Sequence, residues 1–204
     1  MMKQYNQQQK AQENSRYGEA VSELAEIFAE MVHNHDTFGE SWRNIKLGVK
    51  AFDIMRSLPD VLLGEYETMA EKAGLLDQML DRMDETVTPR FCISVREEIA
   101  RIDPQNEGNR EELQMLRDYI DLSLPMEEFC RRYGRHLQFD PVERTAEYEA
   151  VIADVEAETA EELKECLRGM GFCFGYWSAK TAILARYGIE WRSPSVMNPH
   201  VIFD

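Results

Sequence analysis

The stretch from Gly169 to Tyr187 constrains the fold more than any other part of this sequence. It mixes large aromatic residues (Phe172, Phe174, Tyr176, Trp177) with small ones (Gly171, Gly175, Ser178, Ala179, Ala182, Ala185), in a chain that is 30% charged. A helix that is apolar on nearly all sides is normally buried on nearly all sides. The run therefore predicts the central helix of a core. Gly171 and Gly175 lie four apart, so on a helix they share a face that admits a neighbouring backbone. Between Arg168 and Lys180 the run has about half of the ~20 residues that a membrane span needs. Its glycines cost about 1 kcal/mol each in a helix interior, so tertiary packing must hold the helix together.

The rest of the chain reads as further helices. Residues 1–15 are rich in Gln and Asn and lack apolar periodicity, which predicts a frayed or disordered tail. From Arg16 on, Tyr17, Val21, Leu24, Phe28 and Met31 keep helical spacing until His33–Gly39 supplies turn formers. A second helix is predicted after Ser41 as N-cap, with Trp42, Ile45, Val49 and Phe52 inward. Pro59 opens a third, whose Leu62, Tyr66, Met69, Ala73, Leu76, Leu80 and Met83 alternate by 4 and 3 like a coiled-coil seam. Residues 86–95 suit a short strand or a helix capped by Thr88. The helix is preferred, burying Phe91, Val95, Ile99 and Ile102, and Asp103-Pro104 ends it.

Asn109 and Glu112 suggest a capping box for the next helix, with Leu113, Leu116 and Ile120 inward. Pro125 opens a short helix that stops at Gly134. Asp140-Pro141-Val142-Glu143 is a further start signal. From there one long helix to Tyr187, or two broken near Thr159, fits an apolar stripe that includes Leu163, Cys166, Leu167 and Met170; two helices or one bent one are preferred, since a single helix of over ~40 residues would be unusually long. Past Gly188 two prolines predict an extended segment. Its Trp191, Val196, Met197, Val201, Ile202 and Phe203 favour packing back on the bundle.

Charge restricts function. The net charge is −15, which argues against direct nucleic-acid binding and against anionic membranes. It suits solubility, or attraction to a basic partner. Residues 60–88 hold eight acids against two bases, and 141–168 nine against three. Asp77, Asp81, Asp84 and Glu85 crowd the end of the third helix, where the dipole disfavours them. Glu156, Glu158, Glu161, Glu162 and Glu165 place like charges at i, i+4. These nine residues, with Trp191 and Arg192 as hot-spot types, are the candidate partner-binding residues. The four cysteines are scattered and no signal peptide is evident, so a cytoplasmic protein with reduced thiols is expected.

Motifs for catalysis are sparse. Arg131-Arg-Tyr-Gly-Arg-His136 resembles the Arg-x4-His motif of HEPN ribonucleases. That resemblance, confined to six residues, implies His136 as general acid or base and Arg131 on the phosphate. It departs from the family pattern in placing Arg132 where Asn or Asp is frequent, and in placing Gly134 inside the motif. His33-Asn-His35-Asp36 lacks metal-ligand spacing, and no cofactor fingerprint is present. The expectation is an all-α, single-domain multi-helix bundle over 16–188, with an extended tail over 189–204 and neither metal nor cofactor. Its expected role is to bind a basic protein, in the narrow form as a nucleic-acid mimic that inhibits a nucleic-acid-handling enzyme, as anti-restriction and anti-CRISPR proteins do. A HEPN-like ribonuclease and a structural or homo-oligomeric protein are the alternatives.

Overall fold

A computed structural model describes the backbone of residues 2–37, 39–58 and 66–203 and the side chains of 15–37, 39–58 and 72–203. All regular elements among the described residues are helical. Backbone contacts divide the chain into two compact units, Met1–Met83 with Arg101–Asp103, and Asp84–Ala100 with Pro104–Asp204.

The first unit begins with α1 (Met2–Val32). Residues 2–15, predicted as a frayed tail, carry helical backbone, and their Gln, Lys, Ala and Glu are good helix formers. The buried stripe of α1 is Leu24, Ile27 and Met31, whereas Val21 is 44% exposed, so the inward face is rotated from the predicted one. A π-helical turn (His33–Thr37) follows. Gly39 then takes a left-handed φ of 63° and donates its N–H to the His35 carbonyl. Ser41 starts a 3-10 turn (Ser41–Arg43) rather than capping α2 (Asn44–Ser57).

Asn44 ties this unit together. It is fully buried, donates to the carbonyls of Met31 (3.0 Å) and Arg82 (2.8 Å), and accepts from Asn34 (3.0 Å). Its amide thus joins the end of α1, the start of α2 and the turn after α3 (Tyr66–Leu80). α2 buries Gly48, Ala51, Phe52 and Met55, while Val49, predicted inward, is exposed. The predicted α3 seam is present from Ala73 through Leu76 and Leu80 to Met83. Pro59 and Leu62, and the side chains of Tyr66 and Met69, lie outside the described residues.

The second unit contains α4 (Pro89–Ile102) up to Ala100, α5 (Glu107–Ile120), α6 (Met126–Arg132), α7 (Ala146–Glu162), α8 (Phe172–Arg186) and a single turn, α9 (Pro194–Met197). Residues 86–95 thus enter a helix. Its inward face is Cys92, Val95, Arg96 and Ile99, with Phe91 half-buried. The free N–H groups at its start go to a distant residue. Glu149 of α7 accepts from the backbone of Arg90 (2.9 Å) and Phe91 (3.0 Å) and from the Arg90 guanidinium (3.0 Å).

The C-terminus of α5 is closed in the same manner. Arg144 donates to the carbonyls of Asp118 (3.2 Å), Tyr119, Asp121 and Leu124 (2.9 Å), where a cation also complements the dipole. The N-cap of α5 is Asn106, which accepts from the Asn109 N–H at 2.9 Å. Asn109, predicted to be the cap, is instead buried and exchanges hydrogen bonds with Arg96. Tyr119, Phe129 and Cys130 form the α5–α6 core, with the Phe139 ring stacked on Tyr119 at 5.2 Å.

Residues 141–187 form two helices joined by an exposed loop. Asp140 caps a 3-10 turn (Pro141–Arg144), and Thr145 then caps α7. Thr159 does not break the helix. It is buried within α7 and its hydroxyl donates to the Val155 carbonyl at 2.7 Å. α8 is not the all-round buried helix predicted. It packs along α7 and buries Ala179, Lys180, Ile183 and Leu184, with Phe174 49% exposed.

Gly175, Ser178, Ala182 and Ala185 make the open face of α8. Small side chains expose little apolar area, so leaving this face in water costs little. Gly171 precedes α8 with φ 81°, and an added Cβ at Gly175 has nothing within 4 Å. The two glycines therefore admit no close backbone neighbour among the described residues.

Candidate functional site

α7, α8 and the C-terminal segment enclose a polar centre inside the second unit. Lys180 and Glu156 meet at 2.7 Å with side chains 11% and 9% exposed. The Tyr176 hydroxyl donates to the second oxygen of Glu156. The Lys180 ammonium lies 5.2–5.8 Å from the ring centroids of Trp191, Tyr148 and Tyr176, a range in which ring quadrupoles attract a cation. Trp191 donates its indole N–H to Glu143 at 2.7 Å. Burial pushes the Glu143 carboxyl up, against the Trp191 hydrogen bond and the Lys180 charge, and burial also raises the Tyr148 and Tyr176 phenols.

The C-terminal segment is fastened further. Arg192 donates from its backbone (2.7 Å) and guanidinium (2.9 Å) to Asp140. Burial pushes the Asp140 carboxyl up, but hydrogen bonds from Arg192 and the Val142 N–H outweigh it and hold the group below its ordinary value. Asn198 pairs with the Gln138 backbone in both directions, at 2.7 and 2.8 Å. The segment is not extended throughout, because Pro194 follows Ser193 and begins the single turn α9.

This arrangement removes two predicted partner-binding residues, Glu156 and Trp191, from the surface. Glu156 faces inward to Lys180, and Trp191 is 7% exposed. A cluster of glutamates does not reveal which of them has a lysine opposite it in another helix. Arg192 is committed to Asp140, and Glu85 is paired with Arg96 through both oxygens. Asp84 accepts from the backbone and hydroxyl of Thr86. In the first unit, Asp77 and Asp81 are exposed. Glu158 bonds Tyr187 (2.6 Å) and Arg186 (2.5 Å), which hold its carboxyl low. Glu161 meets Lys164. Glu162 and Glu165 are exposed with no ion-pair partner among the described residues.

The residues of the HEPN-like motif are also placed. Arg131, on α6, donates Nε and a terminal nitrogen to Glu128 (3.0 and 2.7 Å). His136 is exposed, beyond the left-handed Gly134. An open groove of about 880 Å³ nearby is lined by Glu107, Glu111, Glu112, Met115, Tyr133 and Arg135, and by neither Arg131 nor His136. Among the described residues no group of three or more His, Cys, Asp or Glu is placed to hold a metal ion, and no helix is long and apolar enough to cross a membrane.

Comparison with known protein families, curated proteins and solved structures finds no match.

The sequence reading missed the loop between α7 and α8. Leu167 and Met170, predicted to continue a buried stripe, are each 95% exposed. α7 stops at Glu162, and without the helix the stripe has no face to share. Gly169 and Gly171, flanking Met170, were the available signal of a chain reversal. Ile202 (92%), Phe174 (49%) and Val201 (42%) are exposed as well. A row of ring contacts, Phe174 to Trp177 at 5.5 Å and Trp177 to Phe203 at 5.1 Å, joins the loop side of α8 to the C-terminal segment.

Proposed function

We propose that this chain is a protein-binding module that presents an acidic surface to a basic partner. The supporting observation is the surplus of acid, since the net charge is −15. Among the described residues burial withdraws cations (Lys72, Arg96, Arg144, Lys180) and anions (Asp140, Glu156, with Glu143, Glu149 and Glu85 largely covered) alike. The excess of acid therefore stays on the surface. Such a surface attracts positively charged partners and repels nucleic acid and anionic lipid. In its narrow form the partner handles nucleic acid, and exposed acids such as Glu162 and Glu165 stand in for phosphates.

The test is affinity capture with the full chain as bait, followed by mass spectrometry. The reading expects a basic protein whose retention falls steeply between about 50 and about 500 mM salt, as exposed charges are screened. In the narrow form, duplex DNA also displaces the chain. Retention that is indifferent to salt would overturn the reading, as would failure to recover a basic protein.

A further inference from the structure

The first unit holds a cavity that its core does not use. Tyr17, Val21, Leu24 and Phe28 keep helical spacing along α1, yet the core takes Leu24, Ile27 and Met31 and leaves Val21 44% exposed. All four residues of the first set line one cavity of about 310 Å³, together with Met55 of α2 and Lys72 and Leu75 of α3. A mostly apolar hollow between helices, with few polar groups, is the usual form of a small-molecule site. Val21 and Leu75 are its exposed members, so the cavity opens to solvent beside them. Lys72 selects the ligand. It is 6% exposed, and it is the single charged residue among the described residues that line the cavity. Taking a cation out of water among apolar groups is costly unless anions or dipoles meet it. Lys72 interacts within the chain, and an anion in the cavity adds to that interaction.

We propose that this cavity binds a small amphiphilic monocarboxylate, with its apolar body against Val21, Leu24, Phe28 and Leu75 and its carboxylate toward Lys72. The volume lies at the low end of the roughly 300–1,000 Å³ usual for ligand sites. That suits a short chain or a single ring and leaves no room for a two-chain lipid. The net charge of −15 opposes an anion at long range. At about 0.15 M salt, however, exposed charges are screened beyond about 8 Å, whereas attraction to a buried cation is strengthened by the low dielectric around it. The site is independent of the acidic-surface reading and stands or falls apart from it.

The test is titration calorimetry of the full chain with octanoate, octanol and octylamine, which share an apolar body and differ in charge. Octanoate is expected to bind about tenfold tighter than either of the others, as a hydrogen bond to a charged group gives. Lys72→Met should remove that preference and leave octanol binding unchanged. Ala25→Trp, which fills the cavity from an exposed position of α1, should abolish binding of all three. It keeps the test decisive even where Lys72→Met fails to fold, which circular dichroism reports. No binding of octanoate, equal or tighter binding of octylamine, or octanoate binding that survives Ala25→Trp would each overturn the proposal. Self-association in sedimentation that Ala25→Trp abolishes would assign the cavity to a second copy of the chain and overturn it as well.

Discussion

Lys180 shows how a single residue reverses the reading of its neighbours. By position it belongs to an apolar helix, yet it is the cation that draws Glu156 inward and gathers three aromatic rings. Removing one partner of a buried ion pair leaves an uncompensated charge and typically costs about 3–5 kcal/mol. Lys180→Met is therefore expected to lose about 3 kcal/mol or more in urea unfolding. Lys180→Met with Glu156→Leu should lose less than the single change, and a larger loss in the double variant would refute this account.

Glu143 gives a pH signature. Burial raises its carboxyl above the value in the unfolded chain, so folding favours the protonated form. That contribution is complete below the unfolded value and is lost as pH rises through the folded one. Glu143→Gln keeps an acceptor for Trp191 without the charge. Its Tm relative to the parent should rise from pH 4 to pH 8 in thermal melts, and a flat or falling difference would contradict the sign.

At the scale of elements, the helices of the second unit are closed by residues far away in sequence. Glu149 satisfies the start of α4, and Arg144 satisfies the end of α5. Glu149→Ala should cost about 1–2 kcal/mol, as loss of a cap does. Arg144→Ala, which strands several carbonyls, should cost about 3 kcal/mol, near the upper end for unsatisfied buried groups. Denaturant titration measures both. The glycines of α8 separate in the same assay. Gly175 is helical with open space around it, so Gly175→Ala should stabilise by about 0.5–1 kcal/mol. Gly171, at φ 81°, should be destabilised by the same substitution.

For the whole molecule, the excess of acid governs behaviour in salt. Surface ion pairs such as Lys50–Glu23 at 2.7 Å contribute little in water. The surplus of like charge acts everywhere at once. Raising NaCl from about 20 to about 500 mM shortens the screening length severalfold. Tm should therefore rise in calorimetry, and a fall would mean that attractive pairs outweigh the repulsion.

Local signals made the helical class and most boundaries legible. Proline at the first turn of α4, glycine at Gly134 and the cap at Asp140 act over a few residues, and backbone geometry imposes them wherever they occur. The seam through Ala73, Leu76 and Leu80 was legible for the same reason. What failed to show was which face of an element meets a neighbour. Val49, Leu167 and Glu156 each sit where periodicity or charge implies the opposite environment. Asn44, Glu149 and Arg144 gave no sign of their roles, because their partners are carbonyls and N–H groups that tertiary packing brings near. The sequence by itself determined an acidic, all-helical chain. Tertiary structure decided which charges pair and which apolar groups stay in water, because both depend on contacts between residues far apart in the chain.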